Sequence, residues 1–243
     1  EHHLHSIHGC FLRAGDWNVP ILYEVERTRD GSSFSTRRVL AIQHGRAIFH
    51  LDSSWHKQET GLKHALPMPD VPPPEALRGD REAYLEAARE RPEVKRFAFR
   101  FEAIDSRQVE RILLTDVDVH PPTKHTWLRA REPLGDSPEV HLAMLAYMSD
   151  LDFMSTSMLP HGRNTMRDAV YGASLDHSLW FHRPFRADEW LLFAKESPNA
   201  GGARGFVRGQ FFTRDGQLVA TAAQECLIRP VGPQAVTETA PQG

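Results

Sequence analysis

The chain has 243 residues, 40% of them hydrophobic and 25% charged, enough to bury a sizeable core in one large domain or two small ones. Its formal charge of −3, with basic and acidic residues interspersed, leaves no footprint for nucleic acid or for an anionic membrane surface. No apolar run reaches the roughly 18 residues of a membrane span, the start lacks the plan of a signal peptide, and two cysteines cannot build a disulfide framework, so a soluble cytoplasmic protein with a small-molecule partner is expected.

The first segment, "EHHLHSIH", gathers His2, His3, His5 and His8, a set that can bind zinc. On a regular strand His5 and His8 point to opposite faces, so no metal is expected here. Cys10 and Cys226 each lack a second cysteine at ligand spacing and read as buried thiols.

"LHSIHGCFLRAGD" at 4–16 returns as "LDHSLWFHRPFRAD" at 175–188. Displaced by 172 positions, His5, Ser6 and Ile7 fall on His177, Ser178 and Leu179, Asp16 on Asp188, Glu24 on Glu196 and Phe34 on Phe206. After a one-residue slip the hairpin signal "QHGRAIF" at 43–49 falls on "RDGQLVA" at 214–220, where a Gly joins two alternating apolar runs. Self-similarity at fixed displacement means one fold occurring twice. Each copy reads as strand, strand, then a long hairpin, in the second copy at about 172–183, 189–197, 203–213 and 217–229 with "SPNAGGAR" and "RDGQ" as turns. The Gly-Gly turn lies between strands, so it lacks the helix N-terminus of a phosphate loop.

Between the copies, "LPMPDVPPPEALRGD" at 66–80 is a Pro-rich connector, and "REAYLEAARER" after it is a short amphipathic helix with a solvated charged face. A strand follows at about 123–131. Ser137, Pro138 and Glu139 then start a helix predicted to run to Leu159, where "PHG" stops it. Apolar on every side, this helix is expected to be buried all round. The C-terminal stretch from 230 is Pro- and Gly-rich and reads as a disordered tail without a peroxisomal Ser-Lys-Leu address. A strand, a buried helix and four antiparallel strands make the plan of a hotdog fold.

The words "HSIHGCFLRAGD", "LAYMSDLDFM", "LDHSLWFHRPFRADEWLLF" and "ARGFVRGQFFTRDGQLVATAAQE" resemble the acyl-CoA thioesterase II family, the bacterial and peroxisomal double-hotdog thioesterases. The resemblance implies an α+β double hotdog: an N-terminal unit at 1–65, a connector and short helix at 66–95, a C-terminal unit at 96–229 and a tail at 230–243. Family members usually carry a further segment ahead of "HSIH", so the first unit is expected to lack its helix. The implied activity is hydrolysis of acyl-CoA to free acid and CoA without a cofactor, by a homo-oligomer. A non-catalytic acyl-CoA-binding module is the alternative. The Asp-to-His dyad of a hotdog dehydratase is not visible.

Two residues stand out on their own chemistry, and a third is nominated only by the resemblance. Were the helix continuous, Asp150 and Asp152 would be about 200° apart, with Asp152 beside His141, Ser149, Ser155 and Thr156, and Asp150 among Ala143, Ala146, Tyr147, Phe153 and Met154. A carboxylate in the latter company needs partners or a raised pKa, as a general base does, although a loop-capping aspartate fits as well. Gln224 alternates onto one face with Leu218, Ala220, Ala222, Cys226 and Ile228, so its amide needs partners; a buried Gln tying down a loop is the plainer reading. Ser174 shares its expected strand face with Asp176, Ser178, Trp180 and His182, and nothing marks it out. The family's catalytic Asp, Ser or Thr, and Gln fall on Asp150, Ser174 and Gln224, which the resemblance implies hold and deprotonate a water. His177 and His182 lie near that site and are expected to be structural.

Overall fold

A computed structural model describes residues 2–113, 116, 118–163 and 170–231. Eleven strands form one antiparallel sheet: β1 (His2–Phe11), β2 (Leu22–Asp30), β3 (Phe34–Gln43), β4 (Arg46–Lys57), β5 (Ile104–Gln108), β6 (Thr123–Ala130), β7 (Val170–Ser174), β8 (Asp176–Phe181), β9 (Leu191–Gly201), β10 (Arg204–Thr213) and β11 (Leu218–Pro230). Their order is β2-β3-β4-β1-β8-β11-β10-β9-β6-β5, with β7 also pairing β11. The helices are α1 (Asp80–Ala87), α2 (Lys95–Ala98), α3 (Pro138–Ser149) and α4 (Phe153–Thr156), with short 3₁₀ turns between.

The two sequence copies meet at the β1–β8 pair. Ile7 lies opposite Leu179, which is its own counterpart in the repeat, while Ser6 faces Trp180 and His8 faces Ser178. Equivalent residues paired across an antiparallel ladder place a pseudo-two-fold axis between the copies.

The second copy holds the main core. Leu145, Met148, Leu151 and Phe153 pack on Leu179, Phe193, Val207, Phe211, Ala220 and Ala222 of the sheet. The opposite face carries Trp127, Trp190, Leu192 and Phe212, covered by Met68, Val71 and Leu77 of the Pro-rich connector, and Trp127 Nε1 donates to the Pro72 carbonyl at 2.9 Å. The connector thus packs on the second copy. Tyr84 of α1 is fully buried against Ala98 and Phe101, so the helix after the connector is anchored rather than merely solvated. By contrast, β2 is exposed along its whole length, and no helix occurs among the described residues before the turn at Pro74.

The structure corrects several sequence expectations. The helix predicted from 137 to 159 is broken: α3 ends at Ser149, Asp152 adopts left-handed φ 55°, and α4 restarts at Phe153. Nor is α3 covered all round, because Val140, Ala143, Tyr147 and Asp150, spaced three or four apart, share an exposed face. The turn expected across 197–204 shrinks to Gly202 and Ala203, both at positive φ, so β9 runs on to Gly201, beyond what its Pro, Asn and Gly content indicates. The strand β5 and the short helices between 92 and 101 were not anticipated. In β1 a bulge between Leu4 and Ser6 turns His5 onto the face of Ser54 and His56, the same face on which His8 opposes Asp52. Even so, among the described residues no three His, Cys, Asp or Glu side chains converge as a metal site requires. Cys226 is buried as expected and Cys10 is partly open. The expected tail lies outside the described residues from 232 onward.

Candidate active site

Gln224 is fully buried on β11, its alternation with Ala220, Ala222 and Cys226 as the sequence reads. Its two neighbours come from the broken strand opposite. Ser174 ends β7 and pairs with Cys226, whereas β8 begins at Asp176 and pairs Ser178 with Ala223, so the register slips by one residue at Leu175. The slip is held in place: Leu175 N–H donates to the Glu225 carbonyl at 2.9 Å, and the Asp176 carboxylate accepts from Glu225 N–H at 2.7 Å. In a regular strand Ser174 and His177, three apart, would face opposite ways. Here the irregularity turns both toward Gln224. Ser174 therefore does not share a face with Asp176, Ser178, Trp180 and His182, as an unbroken strand would have it.

The Gln224 Nε2 donates to Ser174 Oγ at 3.0 Å, and its Oε1 accepts from His177 Nδ1 at 2.5 Å. The far ring nitrogen, His177 Nε2, lies 2.8 Å from Ser149 Oγ, and Ser149 Oγ itself donates to the Ala146 carbonyl at 2.8 Å. A hydrogen-bonded line thus runs from the last turn of α3 through the imidazole and the amide to Ser174. His182, by contrast, contacts Thr221 Oγ1 at 2.8 Å and stays outside this line.

Asp150 stands at the C-cap of α3, next to Ser149. Its carboxyl is pushed above the ordinary carboxylate value, first by desolvation and last by the nearby Asp152 charge, against the pull of His177, Arg100 and the Gln224 side chain. The negative end of the α3 dipole acts in the same raising direction. Water still reaches Asp150, which is exposed, and this moderates the shift. A carboxylate with raised basicity, open to water and beside a buried amide and a hydroxyl, has the elements of general-base chemistry.

Asp152 has a different setting. It is 8% exposed, accepts from Lys124 Nζ at 3.4 Å and lies 4.0 Å from Arg100. Burial works to raise its pKa, but Lys124, Lys195 and Arg100 outweigh that and hold it below the usual value. Lys195, also buried, donates to Thr126 Oγ1 at 3.1 Å and the Leu151 carbonyl at 3.5 Å, and burial, aided by Lys124, lowers its pKa to about 7. The two aspartates do face apart, because the chain breaks between them and not because of helical phase. Asp152 is a member of a buried ion pair.

Of the three residues singled out in the sequence, Ser174 and Gln224 are in direct hydrogen-bond contact and Asp150 borders Gln224. Ser149 is not among the residues the sequence nominates, and His177, expected to be structural, contacts both Ser149 and Gln224, because a strand slip and a helix break, neither with a local composition signal, bring them together.

The family model described as acyl-CoA thioesterase matches residues 98–227, and that of the acyl-CoA thioesterase N-terminal domain matches residues 1–54. Acyl-coenzyme A thioesterase 8 of Rattus norvegicus is 44% identical over 237 residues, covering 93% of this chain and 73% of that protein. The crystal structure of the acyl-CoA thioesterase II TesB2 of Mycobacterium marinum superposes with a TM-score of 0.78 at 41% identity, over 95% of this chain and 82% of that one. A protein of Alicyclobacillus acidocaldarius described as having a hot dog fold superposes with a TM-score of 0.72 at 17% identity, over 95% and 80% of the two chains, a likeness of fold alone. The architecture is the double hotdog, and the chain belongs to the acyl-CoA thioesterase family.

Proposed function

We propose that this acyl-CoA thioesterase hydrolyses its substrate by direct attack of a water that Asp150 deprotonates while Ser174 and Gln224 orient it. The water oxygen bonds to the thioester carbonyl carbon as its proton passes to Asp150. Collapse of the tetrahedral adduct breaks the C–S bond, and the departing CoA thiolate takes that proton back from Asp150. The products are the free acid and CoA thiol, the base is regenerated, and no cofactor enters. The observation that carries this reading is the Gln224 amide, buried yet donating to Ser174 at 3.0 Å, beside a carboxyl whose basicity is raised. Ser149 is an unsuitable nucleophile, being fully buried with its proton committed to the Ala146 carbonyl.

The test is thiol release from acyl-CoA by Asp150→Asn, which keeps the shape of the side chain and removes the proton acceptor. Turnover should fall by roughly 10² to 10⁴ with acyl-CoA affinity little changed. Retention of most turnover at saturating substrate refutes the assignment, and absence of turnover in the wild type with binding intact favours the acyl-CoA-binding module.

We further read residues 1–65 and 96–229 as the two hotdog units joined by 66–95, in a cytoplasmic homo-oligomer. The pairing of Ile7 with its counterpart Leu179 supports the two units. The exposed Leu22, Tyr23 and Val25 of β2 support association, and two unpaired cysteines suit a reducing compartment. Among the described residues no helix is long and apolar enough to cross a membrane. Sedimentation of the purified chain checks the oligomer.

A further inference from the structure

We propose that His177 is a positioning residue for hydrolysis: it holds the Gln224 amide with its oxygen turned inward, so that the amide N–H group faces Ser174 and the attacking water. This rests on the water-activation reading above, and its test is separable from that one.

An amide can be flipped end for end with little change of shape, and the two orientations present opposite chemistry to a water. What decides between them is the partner at the buried end. At Gln224 that partner is His177 Nδ1, 2.5 Å from Oε1. The other face of the imidazole settles which nitrogens donate. Ser149 Oγ sends its single proton to the Ala146 carbonyl, so toward His177 it offers only a lone pair, and Nε2 must carry a hydrogen. The ring thus donates from Nε2 to Ser149 and from Nδ1 to Gln224, and it lies where Asp150 feels its pull. Phe153 packs edge-on against the ring with centroids 5.7 Å apart and braces it on that side. His177 pairs with Gly9 of β1, so the strand that carries it is flanked by the first copy.

The same line links the base to the amide mechanically. Ser149 and Asp150 are consecutive at the end of α3, and the imidazole ties that helix end to β11 through Gln224. A displacement of about 1 Å at such a site can cost about 10²-fold in rate.

Two substitutions divide the roles of the ring. His177→Asn keeps a donor near the Nδ1 position, whereas His177→Gln keeps one near Nε2. With kcat and KM measured by thiol release on variants that melt as the wild type does, His177→Asn should retain kcat within about three-fold. His177→Gln should lose about 10- to 100-fold in kcat with KM within about three-fold. Because His177 acts through Gln224, adding His177→Gln to Gln224→Ala should lower kcat no further, a non-additivity that a merely structural histidine does not produce. Equal effects of the Asn and Gln variants, or additive losses in the double variant, overturn the proposal. Should the His177 variants fail to fold, the His177 Nδ1–H signal in a ¹H–¹⁵N spectrum decides. It should be protected from exchange in the wild type and lose that protection in Gln224→Ala, and its unchanged protection there overturns the proposal. If Asp150→Asn retains its turnover, the water-activation reading fails independently of these results.

Discussion

Asp152→Asn exchanges a carboxylate for an amide of the same shape and removes the anion that Lys124 contacts at 3.4 Å and that also acts on buried Lys195. The side chain is 8% exposed, Lys124 is 1% exposed and Lys195 2% exposed, so water cannot substitute for the lost charge. Removing one partner of a buried ion pair costs about 3–5 kcal/mol. For a chain of this size each kcal/mol moves Tm by about 2–4 °C, so a fall of about 6–20 °C is expected. The loss should depend on pH in a definite sense. Lys195 has a folded pKa of about 7, below its unfolded value near 10.5, so its own contribution to stability rises with pH above 7 as the fold sheds a proton that the unfolded chain keeps. At pH 9 one of the two cations facing Asp152 is already neutral, and the substitution should cost less than at pH 6. Thermal melts at the two pH values, followed by circular dichroism, measure this. A shift below about 2 °C at pH 6, or a larger loss at pH 9 than at pH 6, refutes the reasoning.

Four further outcomes follow from the structure. Because the Asp150 carboxyl is held above the ordinary carboxylate value and must be ionised to act, kcat should fall on acidification with a midpoint above the normal Asp range, and a midpoint within that range is inconsistent with the site described. A carboxyl with a raised folded pKa costs stability once both states are ionised and nothing when both are protonated, so Asp150→Asn should raise Tm at pH 8 and lose that advantage toward pH 3. Ser174→Ala and Gln224→Ala should each lower kcat by about 10- to 100-fold, less than Asp150→Asn, since they orient the water and do not take its proton; a Ser174→Ala variant as dead as Asp150→Asn points instead to a serine nucleophile. Ala203 sits at φ 58° in the two-residue turn, and Ala203→Gly should stabilise by about 0.5 kcal/mol in chemical denaturation, the relief of left-handed strain exceeding the added chain entropy of glycine; a net loss contradicts this.

Much of the fold was legible because it is written twice. The second-copy strands lie within a few residues of their expected bounds, and the strand β6 was legible from "TKHTWLRAR". The errors have local causes. Alternation and turn residues mark strands that face one apolar layer, but β5 is a five-residue edge strand whose residues are nearly all buried, so it shows no alternation. The turn at 202–203 was overestimated because Pro198, Asn199 and Gly201 read as loop, whereas Asn199 and Gly201 pair with β10 and Pro198 falls in a bulge of the same strand. The broken helix is the most instructive case. Nothing in "AYMSDLDFM" is a helix breaker, and the break is tertiary: Asp152 turns inward to reach Lys124, and Lys195 takes the Leu151 carbonyl that the break leaves free.

The site shows a sharper limit, set by physics rather than by composition. Periodicity assigns side chains to faces on the assumption that an element is regular, and all three expected positions sit where regularity fails. Asp150 lies at the end of α3, Ser174 at the end of β7 before the slip at Leu175, and Gln224 opposite that slip. In a regular strand and a regular helix the hydrogen-bonding groups of the backbone are consumed by their neighbours and the side chains alternate away from each other. Converging a carboxyl, a hydroxyl, an imidazole and an amide requires a helix that stops and a strand that shifts register. The deviations are secured by contacts that a sequence does not display as motifs: Asp176 on Glu225 N–H, Ser149 on the Ala146 carbonyl, and the buried lysines behind Asp152. Residue identity could therefore nominate Asp150, Ser174 and Gln224 through a resemblance, while His177 emerges only once the shifted register has placed it across from the amide it holds.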